Sequence, residues 1–162
     1  MDPLDDKQLR SSFVNCSKGE ASRINLPRDV PWADLDFLGW RDPGAPERGY
    51  LVARHRGELV GVTLRFPTDV TRSFTKSTVC SVCVSAHSGQ GVALFVAPRA
   101  GAPGRQGNTV GTYLCADLRC PLYVRGKKLT DLGMQFETLT LEERVERMTA
   151  NLGLFLDRVF NG

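Results

Sequence analysis

Apolar residues near the C-terminus recur with the period of a helix. Leu141, Val145, Met148, Leu152, Phe155 and Val159 fall three or four apart, which predicts one amphipathic helix over 140–160. Thr140 and Glu143 stand at its start with capping-box spacing: the hydroxyl accepts from the Glu143 amide and the carboxylate reaches back. A stripe of this kind packs against a sheet. Strand-like alternation supplies that sheet. Residues 49–54 and 59–66 read as two strands around an Arg56-Gly57-Glu58 turn. Tyr50 and Val52 share one face of the first. In the second, Val60, Val62, Leu64 and Phe66 oppose Leu59, Gly61, Thr63 and Arg65. Residues 91–97, with Val92, Leu94 and Val96, predict a third strand, and 109–114 its partner, with Val110 and Leu114 facing one way and Tyr113 the other. Between them, 98–107 reads as a mobile hairpin tip carrying Arg99 and Arg105.

The pattern weakens towards the N-terminus. Leu9, Phe13 and Cys16 have helical spacing, so 4–16 is predicted as a helix, with Cys16 a small buried hydrophobe rather than a reactive thiol. Ser17-Lys18-Gly19 ends it, and a shorter turn over 20–24 stops before Pro27. Residues 27–49 contain Pro27, Pro31, Pro43 and Pro46 and read as a long irregular stretch. There Trp32, Leu35, Phe37, Leu38 and Trp40 fill core under a loop, and 40–44 turns. Residues 68–78, with Arg72 and Lys76, read as a solvated loop.

Four of the five cysteines change the picture. Cys80 and Cys83 are separated by two residues, Cys115 and Cys120 by four, and the spacer 84–114 holds the predicted hairpin. Two such pairs suit a tetrahedral zinc ion, because a tight turn aims two sulfurs at one metal. A thioredoxin-like redox pair needs a helix after the motif, and Val-Ser-Ala-His-Ser-Gly-Gln-Gly cannot start one. A structural disulfide needs an export signal, and the acidic opening Met-Asp-Pro-Leu-Asp-Asp-Lys has no apolar segment. His87, four residues past Cys83, is the substitute ligand, but four thiolates already fill the shell. Pro121 suits a helical first turn, so a short helix runs from the last cysteine through Val124 to Gly126. Knuckle, hairpin and ligand-bearing helix make a treble clef. The predicted fold class is α+β: this module joined to a small antiparallel sheet, with an N-terminal helix and a long C-terminal helix. Residues 1–79 form the helix-and-hairpin part and 80–162 the zinc part of one continuous globular unit.

Composition narrows the function. Apolar content of 41% suffices for a core at 162 residues, and no apolar run is long enough to span a membrane. The cysteine usage and opening predict a reduced, cytoplasmic protein. A closed four-thiolate site offers no position for water, and neither His55 nor His87 has a nucleophile set beside it by motif. The expectation is a structural zinc, no enzyme and no small-molecule substrate. Arg119, Arg125, Lys127 and Lys128 form a basic cluster beside the metal.

The run 108–126, Asn-Thr-Val-Gly-Thr-Tyr-Leu-Cys-Ala-Asp-Leu-Arg-Cys-Pro-Leu-Tyr-Val-Arg-Gly, resembles the C-terminal zinc-finger domain of the FusB-type elongation-factor-G-binding proteins. The upstream Cys80-x-x-Cys83, the strand 91–98 and the closing helix fit the same pattern. The openings Ser12–Glu20 and Leu35–Pro43 resemble the short actinobacterial members with an FBP domain. The resemblance implies zinc ligands Cys80, Cys83, Cys115 and Cys120, and a factor-binding face including Tyr113. It implies a protein that binds elongation factor G and helps it leave the ribosome, protecting translation from fusidic acid. The longer resistance proteins carry an N-terminal helical bundle. Residues 1–79 are too short and strand-rich to form one, so factor binding carries over further than drug resistance does. The alternative is a zinc finger that binds ribosomal RNA or another nucleic acid through Arg99, Arg105, Arg119, Arg125, Lys127 and Lys128. A net charge of only +3 and the lack of an aromatic-plus-basic stripe weigh against it.

Overall fold

Both faces of one antiparallel sheet carry apolar side chains, and the rest of the chain is arranged to cover them. The computed structural model describes residues 1–66 and 78–161. In chain order the elements are α1 (Asp6–Ser11), α2 (Lys18–Ser22), a 3-10 turn at Trp32–Asp34, β1 (Phe37–Asp42), β2 (Ala45–His55) and β3 (Glu58–Arg65). Then come β4 (Thr78–Val79), β5 (Ala86–His87), β6 (Val92–Pro98), α3 (Ala102–Arg105), β7 (Thr109–Cys115), α4 (Cys120–Val124) and α5 (Leu141–Phe160). The main sheet has the order β1-β2-β3-β6-β7, and β4 pairs with β5 separately. Among the described residues no helix is long and apolar enough to cross a membrane.

The β2–β3 hairpin closes through Arg56 and Gly57, both at positive φ (52° and 82°), which matches the right-handed twist of the strands. Its alternation sends Val60, Val62 and Leu64 to one core and Tyr50 and Val52 to the other. In the first core, Phe37, Leu51, Val62, Leu64, Phe95 and Leu114 meet Met148, Leu152, Phe155, Leu156 and Val159 of α5. The expected capping box holds: the Thr140 hydroxyl accepts from the Glu143 amide at 3.2 Å, and the Glu143 carboxylate accepts from the Thr140 amide at 2.7 Å. In the second core, Leu38, Trp40, Tyr50 and Val52 meet Leu9, Ala21, Ile24 and Leu35. Helices as short as α1 and α2 are unstable alone. Each carries its own capping box, Asp5 with Gln8 and Ser17 with Glu20. Arg10 ties them together by donating to the carbonyls of Ala21, Ser22 and Ile24 at 2.9, 2.9 and 3.0 Å.

Five expectations need correction or refinement or lie outside the described residues. The N-terminal helix stops at Ser11, because the next residues run along β3: Gly61 donates to the Ser12 carbonyl and Val14 to the Gly61 carbonyl, each at 2.9 Å. Cys16 is half-buried beside the second core, and burial pushes its thiol pKa up. Residues 27–49 are not irregular throughout. They include the 3-10 turn, β1 and the start of β2, with the two strands joined by a turn at Pro43-Gly44, while Trp40 is a buried strand residue whose indole donates to the Asn25 carbonyl at 2.9 Å. The core-filling role of Leu35, Phe37, Leu38 and Trp40 holds, since all four are buried. The hairpin tip contains the helical turn α3, and Arg99 donates to the carbonyls of Arg158 and Asn161 at the end of α5. The basic stretch 68–78 lies outside the described residues up to 77, and Thr78 opens β4.

The sheet contains strands from both halves of the chain. β3 and β6 share a single register pair, Arg65↔Val96. Where they diverge, the Asn15 amide fills the gap. It donates to the Thr63 and Pro98 carbonyls at 3.0 Å each, and its oxygen accepts from the Thr63 amide at 2.8 Å.

Candidate metal centre

The knuckle turns tightly because its backbone bonds to itself: Val84 donates to the Cys80 carbonyl and Cys80 to the Ser85 carbonyl, each at 3.0 Å. Val84 takes φ 64°, a left-handed conformation that a β-branched residue rarely adopts. The Ser81 amide donates to the Tyr113 carbonyl at 2.8 Å and fixes the knuckle against β7. Cys115 ends β7 and Cys120 opens α4, so all four cysteines converge from the expected elements.

Their ligand atoms lie within 4.8 Å of one another, and all four residues are buried. Cys83 and Cys115 Sγ are 3.4 Å apart, and Cys80 and Cys120 Sγ 3.7 Å. Three of the sulfurs face groups able to donate. The Val82 and Cys83 amides each lie 3.4 Å from Cys80 Sγ. The Ser85 hydroxyl is 3.2 Å from Cys83 Sγ, and His87 Nε2 is 3.4 Å from Cys115 Sγ. Such a donor shell suits thiolates rather than neutral thiols. Four thiols this close cannot all ionise without a cation. Cys80 is pulled far down by its contacts with Cys115, Cys120 and Cys83. Cys120 is pushed up by Cys115, Cys80 and Cys83 and by burial. At Cys115 the contact with Cys120 lowers the pKa, but those with Cys80 and Cys83, and burial, outweigh it and raise it. A divalent, thiophilic ion lets all four carry charge together, and the set fits a structural Zn2+. His87 lies outside this compact group of ligand atoms.

The four-residue gap of the second pair also holds two residues that the spacing did not reveal. Leu118, buried at φ 60°, packs against β1 and β2. A Cβ on Gly39 would lie 2.4 Å from its carbonyl oxygen, and one on Gly49 2.9 Å from its Cδ1. The two glycines are there because the zinc loop needs the space. Asp117 accepts from Tyr123 Oη at 2.8 Å, Lys128 Nζ at 2.5 Å and the Arg119 amide at 3.0 Å. Burial pushes its carboxyl up, and these donors, Lys128 foremost, hold it below the usual range.

The predicted basic cluster is therefore divided. Lys128 is paired with Asp117, and Arg125 with Asp36 through both guanidinium nitrogens. Arg119 and Lys127 are exposed and, among the described residues, in no ion pair, and Arg105 is exposed on α3. Tyr113 is 48% exposed on the sheet face away from α5.

Beside the metal centre, residues 127–138 form a strap. Three of its polar side chains, although exposed, bond back to the rest of the fold. The Gln135 side chain brackets Ala86 like a neighbouring strand, accepting from its amide at 2.8 Å and donating to its carbonyl at 2.6 Å. Asp131 accepts from the Ser88 amide at 3.0 Å, and Glu137 pairs with Arg147 at 2.7 Å. Leu129, Leu132, Met134 and Phe136 point outward, 58%, 49%, 85% and 93% exposed. The alternation of Leu132, Met134 and Phe136 with Asp131, Gln135 and Glu137 was the available signal, a strand-like pattern with no partner strand.

The family model for the FBP C-terminal treble-clef zinc-finger matches residues 8–159. No curated protein and no solved structure matches the chain.

Proposed function

Because the chain belongs to the FBP C-terminal treble-clef zinc-finger family, we propose that it is a non-enzymatic binding module for translation elongation factor G. The observation that carries this reading is the strap. A segment tied back to the fold through Gln135, Asp131 and Glu137, with four large apolar side chains left exposed, is built to be covered by a protein surface. Tyr113 and the exposed Arg119, Lys127 and Arg105 extend the contact, with Arg125 and Lys128 anchored behind. The zinc supplies rigidity, so that the strap and β7 are presented without ordering at the moment of binding. Release of the factor from the ribosome, with protection from fusidic acid as its consequence, requires preferential binding to one conformation of the factor, since equal affinity for two states shifts nothing.

Ribosomal RNA is the less favoured partner, because two of the clustered cations are already paired with Asp36 and Asp117. The test is calorimetric titration of the zinc-loaded chain into purified elongation factor G at two salt concentrations, repeated with Met134→Ser/Phe136→Ser. Binding should persist at the higher salt and weaken more than tenfold in the double variant, with the melt unchanged. Equal affinity of variant and parent would remove the strap from the interface, and a steep salt slope with RNA but no binding to the factor would favour the nucleic-acid reading.

A further inference from the structure

His87 stands against the zinc-binding sulfurs without being a ligand, and the proposed partner binding does not account for it. We propose that it is a positioning residue of the metal centre: its Nε2–H donates to the Cys115 thiolate and holds that ligand on the metal. Nε2 lies 3.4 Å from Cys115 Sγ, within hydrogen-bond range for sulfur. A metal-bound thiolate has no proton to give, so the ring nitrogen facing it must be the donor, which fixes the Nε2–H tautomer.

The ring cannot turn away. His87 is 3% exposed and pairs with Thr78 through its backbone. A Cβ on Gly91 would lie 2.4 Å from His87 Cβ and 2.5 Å from its Nδ1, and the Tyr123 ring stands edge-on at 5.0 Å and 81°. The four sulfurs do not share donors evenly. Cys80 faces two backbone amides and Cys83 the Ser85 hydroxyl, while Cys115, among the described residues, has only His87 as a donor other than the other cysteines. Removal of the imidazole N–H therefore falls on one ligand. An outer donor spreads the charge of a thiolate and slows its loss from the metal.

The experiment uses the full zinc-loaded chain, with zinc transfer to a chromogenic chelator and site-resolved alkylation as readouts. His87→Phe keeps a ring against Gly91 and Tyr123 but removes the donor. It should retain one zinc, release it about 10–100-fold faster, and expose Cys115 to alkylation before the donor-backed ligands Cys80 and Cys83. His87→Gln, which keeps an N–H, should recover most of the difference. Release and alkylation at parental rates in His87→Phe would overturn the proposal. So would a cobalt-loaded parent whose spectrum reports three thiolates and one nitrogen, since His87 would then be a ligand. The parent protein gives an independent test should His87→Phe fail to fold. Nitrogen-15 NMR should show a protonated His87 Nε2 in slow exchange, coupled to cadmium-113 in the metal site, and a proton on Nδ1 instead would sink the idea.

Discussion

Across the same five strands, the α5 side is closed by mass and a metal centre, whereas the α1/α2 side is closed mainly by directional polar bonds. On the first side a 20-residue helix lays five buried apolar side chains on the sheet, and four cysteines pin the knuckle, β7 and α4 together. On the second, two helices of six and five residues cover Trp40, Tyr50 and Val52. They are held by capping boxes, by the Arg10 bonds, by the Trp40 indole, and by the Met1 ammonium, which donates to the Trp32 carbonyl at 3.0 Å and also to the Leu35 carbonyl. Bonds of this kind contribute about 1 kcal/mol each and fail one at a time. A metal site fails all at once. The first side is therefore stiff enough to present a binding surface, and the second is a graded fastening for the back of the sheet.

The largest expected effect is on the metal side. Cys115→Ser, or chelation, removes a structural zinc whose apparent binding free energy is about 10–16 kcal/mol, as large as the whole stability of a typical domain, about 5–15 kcal/mol. The cooperative thermal transition followed by circular dichroism should disappear. An unchanged melt would break the comparison at its strongest point. Next, Phe155→Ala should cost about 3–5 kcal/mol in urea titration, because a buried ring leaves a cavity against the sheet. Trp40→Phe, which mainly removes the indole bond to Asn25, should cost only about 1–2 kcal/mol. Equal costs would mean that the second side is not fastened as described. Between the sides, Gly39→Ala drives a Cβ to 2.4 Å from the Leu118 backbone and should cost about 1–3 kcal/mol. Gly49→Ala meets most closely the movable end of the Leu118 side chain, with Phe95 and the Trp40 carbonyl at ordinary contact distance, and should cost less. The smallest change is Ser17→Ala, at about 1 kcal/mol, detectable as a shifted urea midpoint with the zinc content unaltered.

Elements with one buried face were legible in the sequence; of the two strands buried on both faces, β2 was legible from its turn and β1 was not. The α5 stripe and its cap, the β2–β3 hairpin, the β6–β7 pair and the convergence of the cysteines follow from period and spacing. β1 was missed because both its faces are covered: Phe37 enters one core while Leu38 and Trp40 enter the other, which erases the period-two signal. Pro43 and Pro46 masked it further, although Pro46 sits near the start of β2, where a missing amide is tolerated. The first helix was over-extended because Phe13 and Cys16 kept helical spacing while the edge of β3 claimed Ser12 and Val14 for its own backbone bonds. At the metal centre, the ligand atoms were readable from cysteine spacing alone. Leu118 and the contact between His87 and Cys115 were not, because each acts through a residue far away in the chain, and the Asp117 bonds were not, because they depend on how the chain turns around α4.

The Asn15 side chain has a mechanical consequence. A full ladder of backbone pairs resists shear along its whole length, but β3 and β6 meet at one pair, and the opening beside it is closed by one amide. The sheet behaves as two stiff panels joined by a rivet. The seam between the panel that carries the N-terminal fastening and the panel that leads into the knuckle is closed there by one residue that belongs to neither panel, while α5 lies across both.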